Sequence, residues 1–202
     1  EIRGKRQIGE YTICGKFDAV LDGVIEDFKS TGTYTYTKQT NAIKYIQQGS
    51  IYKWIFPEII TKPTLNINYL FTDWSANRAK GSKDYPPSPV YVQSFTLMDT
   101  QETERFIANK LMLLEKYADA PQEEIPECTS EELWRSDPVW KYYTKEGNAK
   151  ATKVFDNHAE ATMFFVEKGS KGIIREFKGK AKACNFCSAA VICEQRAQLV
   201  LM

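Results

Sequence analysis

The feature that most constrains the fold is an Asp-Gly dipeptide at residues 22–23, with strand-forming residues on both sides. Residues 7–21 carry Ile, Tyr, Phe, Val and Leu in a pattern typical of a β-strand, and residues 24–29 predict a returning strand. Asp-Gly favours the two-residue turn of a β-hairpin because both of its residues tolerate positive φ. The sequence therefore predicts two antiparallel strands joined at this turn.

The segments after the hairpin predict an α/β core. In chain order they are a loop at 30–39, a helix at 41–56, a strand at 64–74, a loop at 75–89 and a strand at 90–98. Asp99 and Glu102 then form the sequence signature of a capping box, which starts a helix that runs to about Tyr117. A hairpin, a helix, two strands and a helix favour a central mixed sheet flanked by helices.

Two domains are predicted, an α/β core at 1–120 and a small cysteine-rich α+β segment at 121–202. Residues 118–130 contain two prolines and a run of acids, which is typical of a linker. Four aromatic residues follow, and they predict a small core beside the cysteines, with base stacking as the alternative. They are Trp134, Trp140, Tyr142 and Tyr143.

The charge balance excludes some classes of partner. The 27 Lys and Arg residues nearly equal the 26 Asp and Glu residues, so the chain is not a uniformly basic nucleic-acid coat, although a local basic groove is compatible with this balance. No apolar run reaches the roughly 18 residues of a transmembrane helix, so no membrane partner is expected. The first residues are polar and charged, which predicts no signal peptide. The first residue is not Met, so we expect a processed start or a longer parent protein.

Two carboxylates and a lysine are predicted to converge on the hairpin. Alternation along the strand places Asp27 and Lys29 on one face, and the hairpin brings Asp18 near Asp27. Two carboxylates suit a hard cation such as Mg²⁺ or Mn²⁺, and a lysine beside them can orient an attacking water. Gln48 and Tyr52 share one face of the next helix. A surface salt bridge and an ordinary amphipathic helix are the alternatives.

The five cysteines predict a metal or cluster site. Their odd number, without a signal peptide, argues against a disulfide framework. Cys184, Cys187 and Cys193 lie within ten residues, and Cys128 is the better candidate for a fourth ligand because Cys14 lies in the first predicted strand. This set suits zinc or an iron–sulfur cluster, and unrelated free thiols are the alternative.

In combination, these residues resemble the RecB-like branch of the PD-(D/E)xK nucleases. That branch has an Asp at the end of one strand, which corresponds here to Asp18. It has an (Asp/Glu)-x-Lys motif on the next strand, here Asp27 and Lys29, and a Gln-x-x-x-Tyr motif on the following helix, here Gln48 and Tyr52. The resemblance implies a restriction-endonuclease-like core over about the first 120 residues.

The resemblance also implies an activity. It points to a metal-dependent DNA exonuclease that hydrolyses phosphodiester bonds with Mg²⁺ or Mn²⁺. Asp18, Asp27 and the backbone carbonyl of Phe28 would hold the metal, Lys29 would position the water, and the helical Gln and Tyr would orient the DNA end. The alternatives are an endonuclease in recombination or defence, and a catalytically inactive DNA-binding module whose cysteine knuckle is the functional part.

The cysteines are similar to the iron–sulfur staple of the AddB-type and CRISPR-adaptation nucleases. This likeness implies a [4Fe–4S] cluster on Cys128, Cys184, Cys187 and Cys193. Zinc stays open, because the lone Cys of those relatives precedes the nuclease motifs. Phage-encoded members of the group imply a phage or prophage enzyme in the bacterial cytoplasm that acts on linear DNA ends or single strands, with a recombination or annealing protein as partner. The family as a whole also implies a preceding helix that carries a further acidic or His residue of the active site.

Overall fold

The computed structural model describes residues 2–200. The chain divides into two compact units, Glu1–Lys116 and Tyr117–Met202. The prediction of a mixed α/β protein with a central mixed sheet flanked by helices is confirmed. Within the described range, no helix combines the length and the apolar character needed to cross a membrane.

The N-terminal unit is built around a four-stranded sheet in the order β3-β4-β5-β6. The strands of this unit are β1 (Ile2–Ile8), β2 (Tyr11–Phe17), β3 (Ala19–Leu21), β4 (Val24–Thr31), β5 (Thr64–Phe71) and β6 (Val90–Thr96). The helices are α1 (Thr33–Thr37), α2 (Ala42–Ile55), α3 (Ala76–Gly81) and α4 (Thr100–Tyr117). β4 and β5 are parallel and α2 lies between them in the chain, whereas the other strand pairs of this sheet are antiparallel. β1 and β2 form a separate hairpin.

The predicted hairpin turn is confirmed. Asp22 has φ 50° and Gly23 has φ 82°, the positive pair that a type I′ turn requires. The turn sets the register of β3 against β4, so that Ala19 lies opposite Glu26. The single strand predicted over 7–21 is wrong, because the chain turns at residues 9–10 and bends at Asp18, which separates β1, β2 and β3.

Two segments predicted as loops contain short helices. α1 lies within 30–39, where the backbone N–H of Thr33 donates to Asp73 Oδ1 at 2.6 Å. α3 lies within 75–89. A hydrogen bond closes this segment into a loop, since Trp74 Nε1 donates to the carbonyl of Pro86 at 2.9 Å. The partner of Thr33 is distant in the chain, so a local sequence pattern does not reveal it. The capping box predicted for α4 is confirmed by reciprocal bonds between Asp99 and Glu102.

The core of the N-terminal unit lies on one face of the central sheet. Strand alternation buries Ile25 on β4 and both Leu65 and Ile67 on β5, and α2 contributes Tyr45 to the same cluster. Gly49 of α2 lacks a side chain where the helix passes over Leu65, which allows a close approach of helix to sheet.

The C-terminal unit contains a three-stranded antiparallel sheet in the order β8-β7-β9. Its elements are β7 (Val139–Tyr143), β8 (Lys153–Phe155), α5 (His158–Glu167), β9 (Ile173–Phe177) and α6 (Glu194–Val200), with 3-10 turns at Gln122–Glu124 and Lys182–Asn185. Tyr142, Phe155 and Ala161 form its buried core, and Trp140 packs against them. Trp134, which was predicted to join the aromatic core, is instead 55% exposed.

Candidate functional site

The β3–β4 hairpin brings together the three predicted residues Asp18, Asp27 and Lys29. The backbone N–H of Phe28 donates to Asp18 Oδ2 at 3.2 Å, which holds this carboxylate beside β4. Asp27 and Lys29 lie two residues apart on the same face of β4, and Lys29 Nζ is 2.6 Å from Asp27 Oδ2. The site therefore has two acidic groups and one cation on a short stretch of chain.

The environment of Asp27 works against its charge. The residue is 7% exposed, and the polar partner of its buried Oδ2 atom among the described residues is the Lys29 ammonium at 2.6 Å. Burial raises the pKa of Asp27 above the usual carboxyl value, the Lys29 ammonium opposes this rise, and the charge of Asp18 adds to it. Asp27 is thus a carboxylate that gains from an additional positive charge.

The two predicted helical residues form a pair on α2. Gln48 Nε2 donates to the hydroxyl of Tyr52 at 2.6 Å. The ring of Tyr52 lies 6.3 Å from the ring of Phe17, centroid to centroid. Phe17 immediately precedes Asp18 in the chain, so this pair lies beside the strand that ends in the first carboxylate.

Two tyrosines beside Lys29 were not singled out from the sequence. Lys29 Nζ lies 6.0 Å from the ring centroid of Tyr45, and Lys29 is the register partner of Tyr69 on β5. Burial is the main cause that raises the pKa of Tyr69, so its hydroxyl stays protonated. A signal for Tyr45 existed, since Tyr45, Gln48 and Tyr52 have the i, i+3, i+7 spacing of one helical stripe. Tyr69 depends on strand register, which the sequence does not specify.

Glu26 is adjacent to Asp27 but belongs to the opposite face of the sheet. Its two carboxylate oxygens accept hydrogen bonds from Asn66 Nδ2 and Asn68 Nδ2, each at 2.7 Å. Ser94 Oγ donates to Asn66 Oδ1 and extends this polar row to β6. Glu26 is therefore satisfied by neutral amides, whereas Asp27 is paired with a cation.

The acidic pair fits a divalent cation. A carboxylate can accept several contacts, so the Asp27 carboxylate, whose Oδ2 atom pairs with Lys29, can still accept a cation, and Asp18 supplies a second carboxylate beside the same strand. Mg²⁺ is commonly held by one or two carboxylates, with water and substrate phosphate as the other ligands. Over residues 2–200, no three or more His, Cys, Asp or Glu side chains are arranged to hold a metal ion.

Four of the five cysteines are neighbours in the C-terminal unit. Partial desolvation is the main cause that raises the pKa of Cys128, and the charges of Glu132, Cys193, Cys184 and Cys187 raise it further. The three C-terminal thiols therefore lie within electrostatic reach of Cys128, although not at metal-ligand distance. Cys14 lies on β2 of the other unit.

Hydrogen bonds hold two of these cysteines, Cys128 and Cys193, in place. Gln195 on α6 brackets Cys128, since its Oε1 accepts from the Cys128 N–H at 3.0 Å and its Nε2 donates to the Cys128 carbonyl at 2.9 Å. The N–H of Arg196 donates to Cys193 Sγ at 3.4 Å. N–H···S bonds of this kind stabilise a negative charge on sulfur, so the donor set fits a thiolate-bound zinc ion or iron–sulfur cluster.

The two candidate sites differ in chemistry. The hairpin offers oxygen ligands with an ammonium group beside them, which suits phosphate chemistry assisted by a hard cation. The cysteines offer soft ligands of the kind found in structural metal sites.

Comparisons of the chain with protein-family models, with curated proteins and with solved structures gave no match.

Proposed function

We propose that the chain is a metal-dependent DNA exonuclease of the RecB-like branch, with a restriction-endonuclease-like core. The observation that carries this proposal is the grouping of Asp18, Asp27 and Lys29 at one hairpin, where a buried oxygen of Asp27 pairs with the Lys29 ammonium. The element order and the mixed sheet, with its central parallel pair, support the same proposal at the level of the fold.

The roles of the residues follow from their positions. Asp18 and Asp27 would hold a divalent cation, with the backbone carbonyl of Phe28 as a third oxygen donor. A cation held there would neutralise phosphate charge and lower the pKa of water. Lys29 keeps its ammonium within ion-pair distance of Asp27, where it can orient a water for attack on phosphorus and stabilise the developing negative charge.

The helix supplies orientation. Gln48 and Tyr52 share a hydrogen bond, so each limits the rotamers that the other can adopt. A side chain amide and a phenol held in this way can position the phosphate backbone of a DNA end relative to Asp18. In the C-terminal unit, Cys128, Cys184, Cys187 and Cys193 would hold a structural iron–sulfur cluster or zinc ion.

Cleavage of linear and covalently closed circular DNA in the presence of Mn²⁺ tests the proposal. We expect the protein to degrade linear DNA and to leave circles intact. Asp27→Ala should lower the rate about a hundredfold or more, because it removes a ligand whose oxygen is buried in the site. Glu26→Gln is the matched control, since it changes the adjacent acid on the opposite face and should retain activity.

Other results would revise the proposal in defined ways. Nicking of circles would identify an endonuclease. DNA binding without cleavage of any substrate would identify an inactive DNA-binding module. Full activity of Asp27→Ala would contradict the assignment of the acidic site.

A further inference from the structure

A basic cleft occupies the C-terminal unit. It has a volume of about 1020 Å³, and its described lining contains one carboxylate, Glu176, against six cationic side chains. The cationic residues are Arg135, Arg175, Lys178, Lys180, Lys182 and Arg196. A cleft with this excess of positive charge concentrates polyanions, because its walls focus the field.

Two of the arginines are held by the backbone around the cleft. Arg135 Nε donates to the carbonyl of Gly179 at 2.7 Å, and Arg196 Nη1 donates to the carbonyl of Ala190 at 2.8 Å. A guanidinium has five N–H donors, so these bonds fix the groups while leaving donors for a ligand. Ordered arginines favour the recognition of phosphate oxygens.

Three lysines add charge that no acid compensates within residues 2–200. Lys178, Lys180 and Lys182 follow β9 at alternate positions, and all three are exposed. None of them forms an ion pair with a described carboxylate, whereas Arg175 pairs with Glu146 at 3.8 Å. Three lysines spaced along the segment that leads from β9 into the 3-10 turn at Lys182–Asn185 suit a chain of phosphates better than a single anion.

Exposed aromatic rings adjoin the cationic residues. Phe177 lines the cleft. Trp134 and Phe186 are not among its lining residues, but each is next in the chain to one that is, Trp134 to Arg135 and Phe186 to Asn185. Trp134 is 55% exposed and Phe186 is 79% exposed, and their ring centroids lie 6.0 Å apart. Exposed rings beside a basic groove suit the unpaired bases of a single strand, because paired bases in a duplex do not offer their faces.

We propose that this cleft binds single-stranded DNA, with the sugar–phosphate backbone along the lysines and arginines and with bases stacked on Trp134 and Phe186. The choice of DNA as the nucleic acid rests on the proposed nuclease function. The cleft then serves as a binding site for a strand, distinct in residues and in chemistry from the acidic site of the hairpin.

The first test measures binding of a dye-labelled oligothymidylate to the full-length protein by fluorescence anisotropy, in buffer without divalent metal. Replacement of Lys178, Lys180 and Lys182 by Glu should weaken binding at least about tenfold and should reduce the slope of log K against log salt by about 2, since single strands contribute roughly 0.7 per phosphate contact. The control replaces Lys145, Lys150 and Lys171 by Glu, because these exposed lysines of the same unit do not line the cleft. The control should bind normally.

The second test examines stacking. Phe186→Ala should weaken oligothymidylate binding about tenfold, as expected for one stacked base. Phe186 is so exposed that its removal leaves the core intact, which keeps the test valid if the lysine variant fails to fold. Val191→Ala is the matched control, since Val191 is also an exposed apolar side chain, at 91%, but has no ring on which a base can stack.

The outcomes separate this proposal from the nuclease proposal. Wild-type affinity in both the lysine and the Phe186 variants would overturn the cleft as the strand site, whatever the protein cleaves. The choice of a single strand would be overturned if duplex DNA bound as tightly and lost the same affinity in the variants. It would also be overturned if the protein bound only phosphatidylserine vesicles. If the wild type cleaves no DNA but the variants bind the single strand more weakly, the cleft proposal is supported and the nuclease proposal is refuted.

Discussion

Asp27 is buried, and its Oδ2 atom pairs with one cationic neighbour among residues 2–200, Lys29. Burial raises its pKa, which means that the fold stabilises the protonated form more than the unfolded chain does. The charged form is therefore held at a cost to stability. Such a cost is typical of sites that bind a cation, where the ligand supplies the missing positive charge.

Asp27→Asn should stabilise the metal-free protein at neutral pH. The raised pKa of Asp27 lowers the free energy of unfolding of the wild type. This loss is absent below the usual carboxyl pKa of about 4, grows as pH rises from there to the pKa of Asp27 in the folded state, and is complete above it. We therefore expect a higher Tm for the variant at pH 7 and a difference that shrinks toward zero in acid. Thermal unfolding from acidic to neutral pH with EDTA measures this, and a lower Tm for the variant at pH 7 would contradict the argument.

The titration of Asp27 should also appear in the pH dependence of cleavage. There, loss of its proton should favour activity, whereas it lowers the stability of the metal-free protein. Cleavage should decline as pH falls through the raised pKa of Asp27, because a protonated carboxyl binds a cation poorly. More Mn²⁺ should move the midpoint to lower pH, since the metal competes with the proton. A midpoint that does not respond to the metal concentration would assign the titration to another group.

At this scale the sequence predicted part of the site. The pairing of Asp18 with Asp27 depends on a turn of two residues, and residues 22–23 specify that turn locally. The contact of Lys29 with Tyr45 and its register against Tyr69 depend on how β5 aligns with β4. That alignment is set by packing between distant segments, so it is not readable from either segment alone.

At the scale of elements, α2 is positioned by two adjacent small residues. Gly49 faces the buried Leu65 and Leu97, and Ser50 Oγ donates to the Ile46 carbonyl while accepting from the N–H of Met98 at 3.0 Å. Ser50 thus links the helix to the chain that follows β6. The position of the helix determines where Gln48 and Tyr52 lie relative to the strands.

Gly49→Ala should destabilise the protein despite the better helix propensity of Ala. A Cβ atom there would lie 2.8 Å from Leu97 Cδ2 and 3.1 Å from Leu65 Cδ2, and both leucines are buried. Overpacking should outweigh the gain of about 1 kcal/mol from propensity and give a net loss of about 1 kcal/mol. Urea unfolding measures the effect, and cleavage should slow because the helix shifts.

A double variant provides the control. Leu97→Ala removes the atom closest to the new methyl group, so Gly49→Ala should cost less in that background than in the wild type. Strictly additive free energies of unfolding would show that the contact with Leu97 is not the cause.

The strength of the local signal explains which elements were predicted. α2, β5 and β6 have regular apolar periodicity and were found within a few residues of their bounds. α1 was missed, because it begins at a backbone group capped by Asp73 from a distant segment. The basic cleft was also missed, although the alternation of Lys178, Lys180 and Lys182 was visible, because its arginines come from separate segments.

At the scale of the whole molecule, each unit has a core of its own. The core of the C-terminal unit is small, with Tyr142, Phe155 and Ala161 as its buried members. A unit with a small core needs stabilisation from other sources. A metal ion or cluster bound by four thiolates is a common source in small domains. The bracket of Gln195 around Cys128 is consistent with this role.

Cys128→Ser should destabilise the C-terminal unit selectively. In the proposed cysteine site, loss of a ligand should release the metal or cluster and lower protection against hydrogen exchange over residues 117–200, with a loss on the order of several kcal/mol. Cys14→Ser is the matched control, because Cys14 lies on β2 of the N-terminal unit and is not one of the four proposed ligands. The residues of the N-terminal unit serve as an internal reference.

Metal analysis and an absorption spectrum of protein purified without oxygen accompany this experiment. A brown protein containing iron and sulfide would identify a cluster, and a colourless protein containing zinc would identify the other option. Absence of both, with equal hydrogen exchange in the two Cys variants, would refute the cysteine site.

The type I′ turn at Asp22 and Gly23 has a consequence for folding kinetics. It joins Asp18 and Asp27 through a short stretch of chain, so the acidic pair closes with little loop entropy and does not wait for the parallel pairing of β4 with β5. The non-local steps, in which α2 docks and β5 aligns, then take place around two carboxylates that already repel each other. We therefore expect this acidic pair to be an early and local product of folding, and the scaffold that buries Asp27 to assemble later.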